Sequence, residues 1–145
     1  MATPGKEKPV KAAPLRTADY ARLASFRAAL RRFLRFSEAA AGRAGLNGQQ
    51  YQALLAIRGH PESGGLVTIN DLAQQLLIKH NSAVGLVDRL VAERLLRRDS
   101  VADDRRKVHL RLTRKGERVL ERLAATHREE LRRVAPLIAR LVLEQ

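Results

Sequence analysis

The sequence predicts a mainly α fold with one small β-hairpin, and three observations carry that prediction. Two short amphipathic segments lie between Val67 and Val91, only a few residues apart. A basic, strictly alternating segment, Lys107 to Leu112, follows after one charged loop. Long amphipathic helical patterns occupy both ends of the chain, at residues 17–44 and 114–145. Helix, turn, helix and hairpin in that order make a winged helix-turn-helix, here with N- and C-terminal helices suited to dimerisation.

The first short helix is expected to start at Thr68, whose hydroxyl can cap free amides, with Asp71 completing an Asp form of the capping box. Ile69, Leu72, Ala73 and Leu76 recur at helical spacing and form its buried stripe. Leu77-Ile78 reads as a tight, buried turn. A second helix begins near His80-Asn81-Ser82, where polar side chains can satisfy the free amides, and its apolar face is Val84, Val87, Leu90 and Val91. Asn81, Ser82, Gly85, Asp88 and Arg89 face away from that stripe. At the exposed N-terminal end these side chains are short and polar, the chemistry that base edges require in a major groove. Gly85 costs about 1 kcal/mol relative to alanine inside a helix. Close approach of DNA and tight helix packing both account for it at this level.

The hairpin reads as a strand from Leu95 to Asp99, a loop from Ser100 to Arg105, and a return strand. Lys107, His109 and Arg111 alternate there with Val108, Leu110 and Leu112, giving a basic face and an apolar face. Between Arg97 and Lys115 there are eight Lys/Arg against three Asp, an excess that suits contact with phosphates. Arg97, Arg98, Arg105 and Lys107 are the candidate phosphate contacts.

These residues resemble the MarR family of winged-helix transcription regulators. The likeness is carried by GLNGQQYQALLAI (Gly45–Ile57), LAQQL (Leu72–Leu76), VDRLVAERLLRR (Val87–Arg98) and DRRKVHLRLTRKG (Asp104–Gly116), and extends from about Ala18 onwards. The resemblance implies that Arg106 enters the minor groove with Asp104 orienting it. It also implies that His80, Asn81, Ser82 and Gly85 lie at the major groove, with Arg89 on the same face. The chain departs from the family at the wing tip, where Val101-Ala102-Asp103-Asp104 stands in place of Asp-Pro-x-Asp. A two-fold dimer is implied as well, with recognition helices roughly 34 Å apart on a pseudo-palindromic site of double-stranded DNA. In the family, small-molecule effectors bind between the dimerisation helices and the reading lobe. Arg27, Arg31 and Tyr51 are the residues here that could meet an anion at that junction.

The terminal helices carry more apolar surface than three helices of a small winged domain can cover. Tyr20, Leu23, Phe26 and Leu30 at one end, and Leu131, Leu137, Ile138 and Leu141 at the other, are the candidate dimerisation residues. Pro136 is expected to start or kink a last segment.

Length and composition set the remaining bounds. At 145 residues and 45% hydrophobic content the chain suits one domain, residues 17–145, with residues 45–113 as the reading lobe. Residues 1–16 hold three prolines and Lys6, Lys8, Lys11 and Arg16 against the single acid Glu7, which reads as a disordered basic arm. A net charge of +13 favours polyanionic partners. No stretch reaches the ~20 apolar residues of a membrane span and no apolar leader follows Met1, so a cytoplasmic location is expected. With no cysteine, disulfides, thiolate nucleophiles, Cys-ligated zinc and thiol-based oxidant sensing are excluded. His60, His80, His109 and His127 are widely spaced and read as exposed or phosphate-contacting residues, not metal ligands. Glu129-Glu130 reads as a pair neutralised by neighbouring arginines, and no catalytic motif is present, so neither an enzyme nor a cofactor is expected. Alternatives are a sequence-blind nucleic-acid-binding protein, architectural on DNA or acting on RNA, and a protein-interaction adaptor.

Overall fold

Reciprocal caps set where two helices of the reading lobe begin. Asn47 Oδ1 accepts from the Gln50 amide at 2.8 Å while Gln50 Oε1 accepts from the Asn47 amide at 2.9 Å, which starts α2 (Gly48–Arg58). Thr68 and Asp71 do the same for α3 (Ile69–Leu76), at 3.2 and 2.9 Å, as the sequence predicts. The computed structural model describes residues 13–60, 66–101 and 104–143, with only the backbone for residues 101 and 104–107. The expected arm therefore lies largely outside the described residues, at positions 1–12.

The other elements are α1 (Thr17–Arg43), α4 (His80–Ala92), β1 (Leu96–Val101), β2 (Asp104–Leu112) and α5 (Arg114–Leu143). Strands β1 and β2 pair antiparallel from Leu96↔Leu112 to Ser100↔Val108, and the register shifts between Ser100 and Val101. An isolated bridge adds Val67, whose carbonyl accepts from the Leu110 amide at 2.7 Å. That bridge is not legible in the sequence, because a single residue has no periodicity. Leu54, Leu72, Leu86, Val87, Leu90, Leu96 and Leu110 are sealed from solvent and form one core shared by α2, α3, α4 and the hairpin. Long helices α1 and α5 pack on each other, and α2 touches both.

Several expectations change in the fold. The hairpin is tighter than predicted: β1 runs to Val101 and β2 starts at Asp104, so most of the expected 100–105 loop is strand. The buried side of α4 is Ala83, Leu86, Val87 and Leu90, with Val84 and Val91 at its margin, because α2 and the hairpin approach one residue round the helix from the predicted stripe. In α3 only Leu72 and Ala73 are fully buried, while Ile69 and Leu76 pack against the core rim. His109 is buried and not on an exposed basic face, and its Nδ1 has no hydrogen-bond partner among the described residues. Leu110 on the opposite face is buried too, so β2 is covered on both sides at this point. Helix α5 continues through Pro136 without a separate last segment. Both Pro136 and Arg132, the residue four before it, are exposed, which leaves the freed carbonyl to water.

The turn between α3 and α4 departs furthest from the expectation. Ile78 packs against the core, but Leu77 is 92% exposed and left-handed, at φ 54° and ψ 41°. It ends α3 in the position where glycine is favoured, because a Cβ crowds the following carbonyl in that conformation. Leu77→Gly is expected to raise stability by about 0.5–1 kcal/mol, since it relieves the backbone and removes no packing. A higher midpoint in urea would agree with this; a lower one would mean that Leu77 is packed in the working protein.

The capping carboxylate of α3 sets a pH dependence. The hydrogen bond from the Thr68 amide is the largest influence on Asp71 and holds its carboxyl below the usual range. Its contribution is therefore present above the unfolded carboxylate pKa and lost as pH falls through the lower folded value. Asp71→Asn should cost about 0.5–1 kcal/mol near pH 7 after allowance for solvent screening, with the gap to wild type closing below about pH 3. Thermal unfolding at the two pH values measures it, and a pH-independent gap would assign the cost to packing.

Candidate nucleic-acid interface

Helix α4 presents its polar face because its other side completes the core. Asn81, Ser82, Asp88 and Arg89 are exposed, and Gly85 is half-buried. The helix starts at His80 as predicted, but Lys79 is the N-cap and no side chain caps it. The amides of its first turn, and the positive end of its dipole, thus remain available to an anion such as phosphate. His80 Nδ1 lies 2.7 Å from Asn70 Oδ1, which ties the start of α4 to the start of α3. Exposed Lys79 and Asn70 therefore stand beside the predicted residues, although neither carries a sequence signal beyond its neighbourhood.

The structure decides between the two explanations of Gly85. A Cβ there would meet only Arg89 Nη2, at 3.9 Å. Tight helix packing is therefore not the reason for a glycine. Gly116 differs entirely: its Cβ would come within 2.1 Å of the Leu95 carbonyl, so that glycine is required by the fold.

Three described hairpin cations are held by internal carboxylates. Arg97 pairs with Asp99 at 3.2 Å, Arg111 reaches the same carboxylate at 3.5 Å, and Arg98 pairs with Asp88 on α4. Arg89 Nε donates to the Gly85 carbonyl at 3.3 Å. These exposed pairs hold the guanidinium groups near the α4–β1 edge at little energetic gain. Asp104, Arg105, Arg106 and Lys107 belong to β2, but their side chains lie outside the described residues.

Two histidines are interior residues, contrary to the expectation for all four. Besides His109, His127 on α5 is buried where α1, α2 and α5 meet. Its Nδ1 donates to the Leu123 carbonyl at 2.7 Å, and Nε2 lies 2.7 Å from Ser37 Oγ on α1. Tyr51 of α2 stacks on the ring at 4.2 Å, and Phe33 and Phe36 meet it edge-on. Burial pushes the Tyr51 phenol up. Tyr51 thus serves this packed joint, while Arg27 and Arg31 are exposed on α1, and the three do not form one anion site. Nothing in a single sequence distinguishes such a histidine from a surface one.

Of the predicted dimerisation residues, Tyr20, Leu23, Leu131 and Leu137 are exposed, and Phe26, Leu30, Ile138 and Leu141 are half-buried. Exposed Leu34, Val142 and Leu143 extend the same apolar character. Glu129 and Glu130 pair with Arg132 and Arg133 at 2.9 and 2.5 Å, as expected.

A family model described as the MarR family matches residues 44–107, the span from the end of α1 into the wing. AbsC, a MarR family transcriptional regulator from Streptomyces coelicolor, is similar at 22% identity, with 85% of this chain and 82% of that one covered and a TM-score of 0.68. RV1404 from Mycobacterium tuberculosis is similar at 20% identity, with 86% and 84% covered and a TM-score of 0.68. The MepR–DNA complex from S. aureus has a protein chain similar at 18% identity, with 86% and 85% covered and a TM-score of 0.65. No curated protein matches the chain. At these identities the solved structures establish the winged-helix fold, and the match to the MarR family model covers residues 44–107, the lobe that holds α2, α3, α4 and the first part of the hairpin.

Proposed function

We propose that this protein is a dimeric, sequence-specific regulator of transcription that binds duplex DNA and represses by occluding a promoter. The observation that carries the reading is the outward face of α4. It combines exposed Asn81 and Ser82, an uncapped N-terminus, and a glycine that helix packing does not explain. Asn81 and Ser82 supply hydrogen bonds to base edges, and Arg106 of β2 supplies a minor-groove contact oriented by Asp104. Arg97, Arg98, Arg105 and Lys107 supply phosphate contacts. For Arg97 and Arg98 this means exchanging Asp99 and Asp88 for phosphate oxygens. The S. aureus MepR complex with DNA supports the reading as a similar fold in a DNA-bound state.

The dimer follows from the apolar residues that α1 and α5 leave exposed, Leu23 at 57% and Leu34 at 57% among them. Two copies joined there present two recognition helices to one face of a duplex, which calls for an inverted repeat. The reading assigns no effector site.

Selection of bound duplexes from a random library at two salt concentrations tests this function. Enrichment of an inverted repeat that persists at the higher salt is the expected result. Binding without enrichment, lost as salt rises, would replace the regulator by a sequence-blind nucleic-acid-binding protein. On the selected site, Arg106→Ala should cost about 1–3 kcal/mol of binding and relax preference at the position it reads. Undiminished affinity would remove the wing from the mechanism.

Gly85→Ala separates stability from binding. The substitution meets no obstruction and should stabilise α4 by up to about 1 kcal/mol, while a methyl group in the groove weakens binding to the selected duplex. A raised melting temperature with unchanged affinity in fluorescence anisotropy would place Gly85 outside the contact.

A further inference from the structure

The positive charge of this chain is not concentrated where the DNA reading requires it. The reading lobe, residues 45–113, carries ten Lys/Arg against seven Asp/Glu, whereas the first 35 residues carry nine against two. Within α1, Arg31, Arg32 and Arg35 are exposed and make no ion pair or hydrogen bond with any described residue. The acids of the helix are engaged elsewhere: Asp19 with Arg16, and Glu38 with the Gly48 amide at 3.0 Å.

Such an arrangement is unfavourable for an isolated helix. Arg31 and Arg35 are one turn apart, where like charges repel, and the solvated face of a helix gains solubility equally well from mixed charges. Arg31, Arg32 and Arg35 surround a shallow depression of about 480 Å³ floored by Ala28, and no acid lines it. Arg32 also borders a second depression, of about 380 Å³, together with Arg140 and Leu137 of α5, again without an acid. All the cations are guanidinium groups, whose planar forks match phosphate oxygens. About 6 Å of helix rise separates Arg31 from Arg35, a spacing that lets neighbouring forks engage successive phosphates of one strand.

This face is not part of the reading surface, and it meets the candidate dimerisation residues only at its edge, where Arg32 borders Leu137 and Leu141. Ser37, Ala40 and Ala41 mark the buried side of α1, and α2 stands between α1 and α4. At about 100° per residue, Arg31 lies roughly a fifth of a turn, Arg35 about a third and Arg32 nearly half a turn from Leu23 and Leu34.

We propose that the Arg31–Arg32–Arg35 face of α1 is a second, sequence-blind surface for the phosphodiester backbone, so that the protein holds a second duplex beside the one read by α4 and the wing. This goes beyond the regulator reading, and the contact needs no base recognition. It assigns a role to charge that lies outside the reading lobe.

A bridging assay with the full chain tests it. One duplex is fixed to beads and a labelled duplex of unrelated sequence is offered in solution, with protein as the only link. Wild type should capture the second duplex in a salt-sensitive manner. The triple variant Arg31→Gln/Arg32→Gln/Arg35→Gln should still bind the fixed duplex with unchanged sequence preference, but capture about ten-fold less of the second. Its salt slope for the second duplex should fall by about 2–3, near 0.9 for each phosphate no longer neutralised. The matching triple lysine variant should keep most of the capture. Full capture by the glutamine variant, or none by wild type, would overturn the proposal. Equal loss in the lysine and glutamine variants would assign the effect to packing and overturn it too. Binding of wild type to phosphatidylglycerol vesicles without capture of a second duplex would replace the nucleic acid by an anionic membrane surface.

Discussion

The close approach of Gly116 to the Leu95 carbonyl is the constraint on which the rest of the structure depends. Leu95 lies three residues beyond the end of α4, and its carbonyl also accepts from the Thr113 amide at 3.1 Å. Thr113 Oγ1 donates to the Arg94 carbonyl at 2.6 Å and accepts from the Gly116 amide at 3.0 Å. Lys115 Nζ reaches the Glu93 carbonyl at 3.0 Å. The end of the reading helix, both ends of the hairpin and the start of α5 are thereby tied at one point. Arg94 takes a positive φ of 61° to make the turn. With this knot in place, the angle of α4 against the wing is a property of the backbone and not of the exposed side chains. That is the rigidity a reading surface needs, since a groove contact is specific only if its donors are already in place.

Around this rigid base the charges are arranged for exchange. Asp88 and Asp99 hold three arginines of α4's edge and the hairpin in the free protein. These pairs are exposed, so each is weak, and a phosphate can take over the guanidinium at small cost. Arg97, Arg98 and Arg111 thus have carboxylate partners, whereas on α1 no carboxylate pairs with Arg31, Arg32 or Arg35 among the described residues.

His127 links the two parts of the molecule. Its ring bridges α5 to Ser37 of α1 and lies flat on Tyr51 of α2, so the long helices and the reading lobe meet on one aromatic surface. Any change in the angle between α1 and α5 must be accommodated at this ring. The hydrogen bonds at both nitrogens resist sliding, because each would be broken in a dry environment where water cannot replace it. The reading head and the apolar faces proposed for dimerisation are thus mechanically continuous.

The sequence by itself determined the order of elements, the cap of α3, the start of α4, and which residues of α4 face outward. Each of these rests on local chemistry: helical or alternating periodicity, a hydroxyl three residues before a carboxylate, a glycine within a helix. Only the tertiary structure decided that Leu77 is exposed, that His109 and His127 are interior, that Val67 pairs with the wing, and that Gly116 and not Gly85 is demanded by packing. Those features depend on groups distant in the chain, Ser37 and His127 being ninety residues apart. A pattern of residue types shows which side of an element is apolar, but not which neighbour arrives there or how closely, and it is that neighbour's distance which fixes burial, hydrogen bonding and the room for a single Cβ.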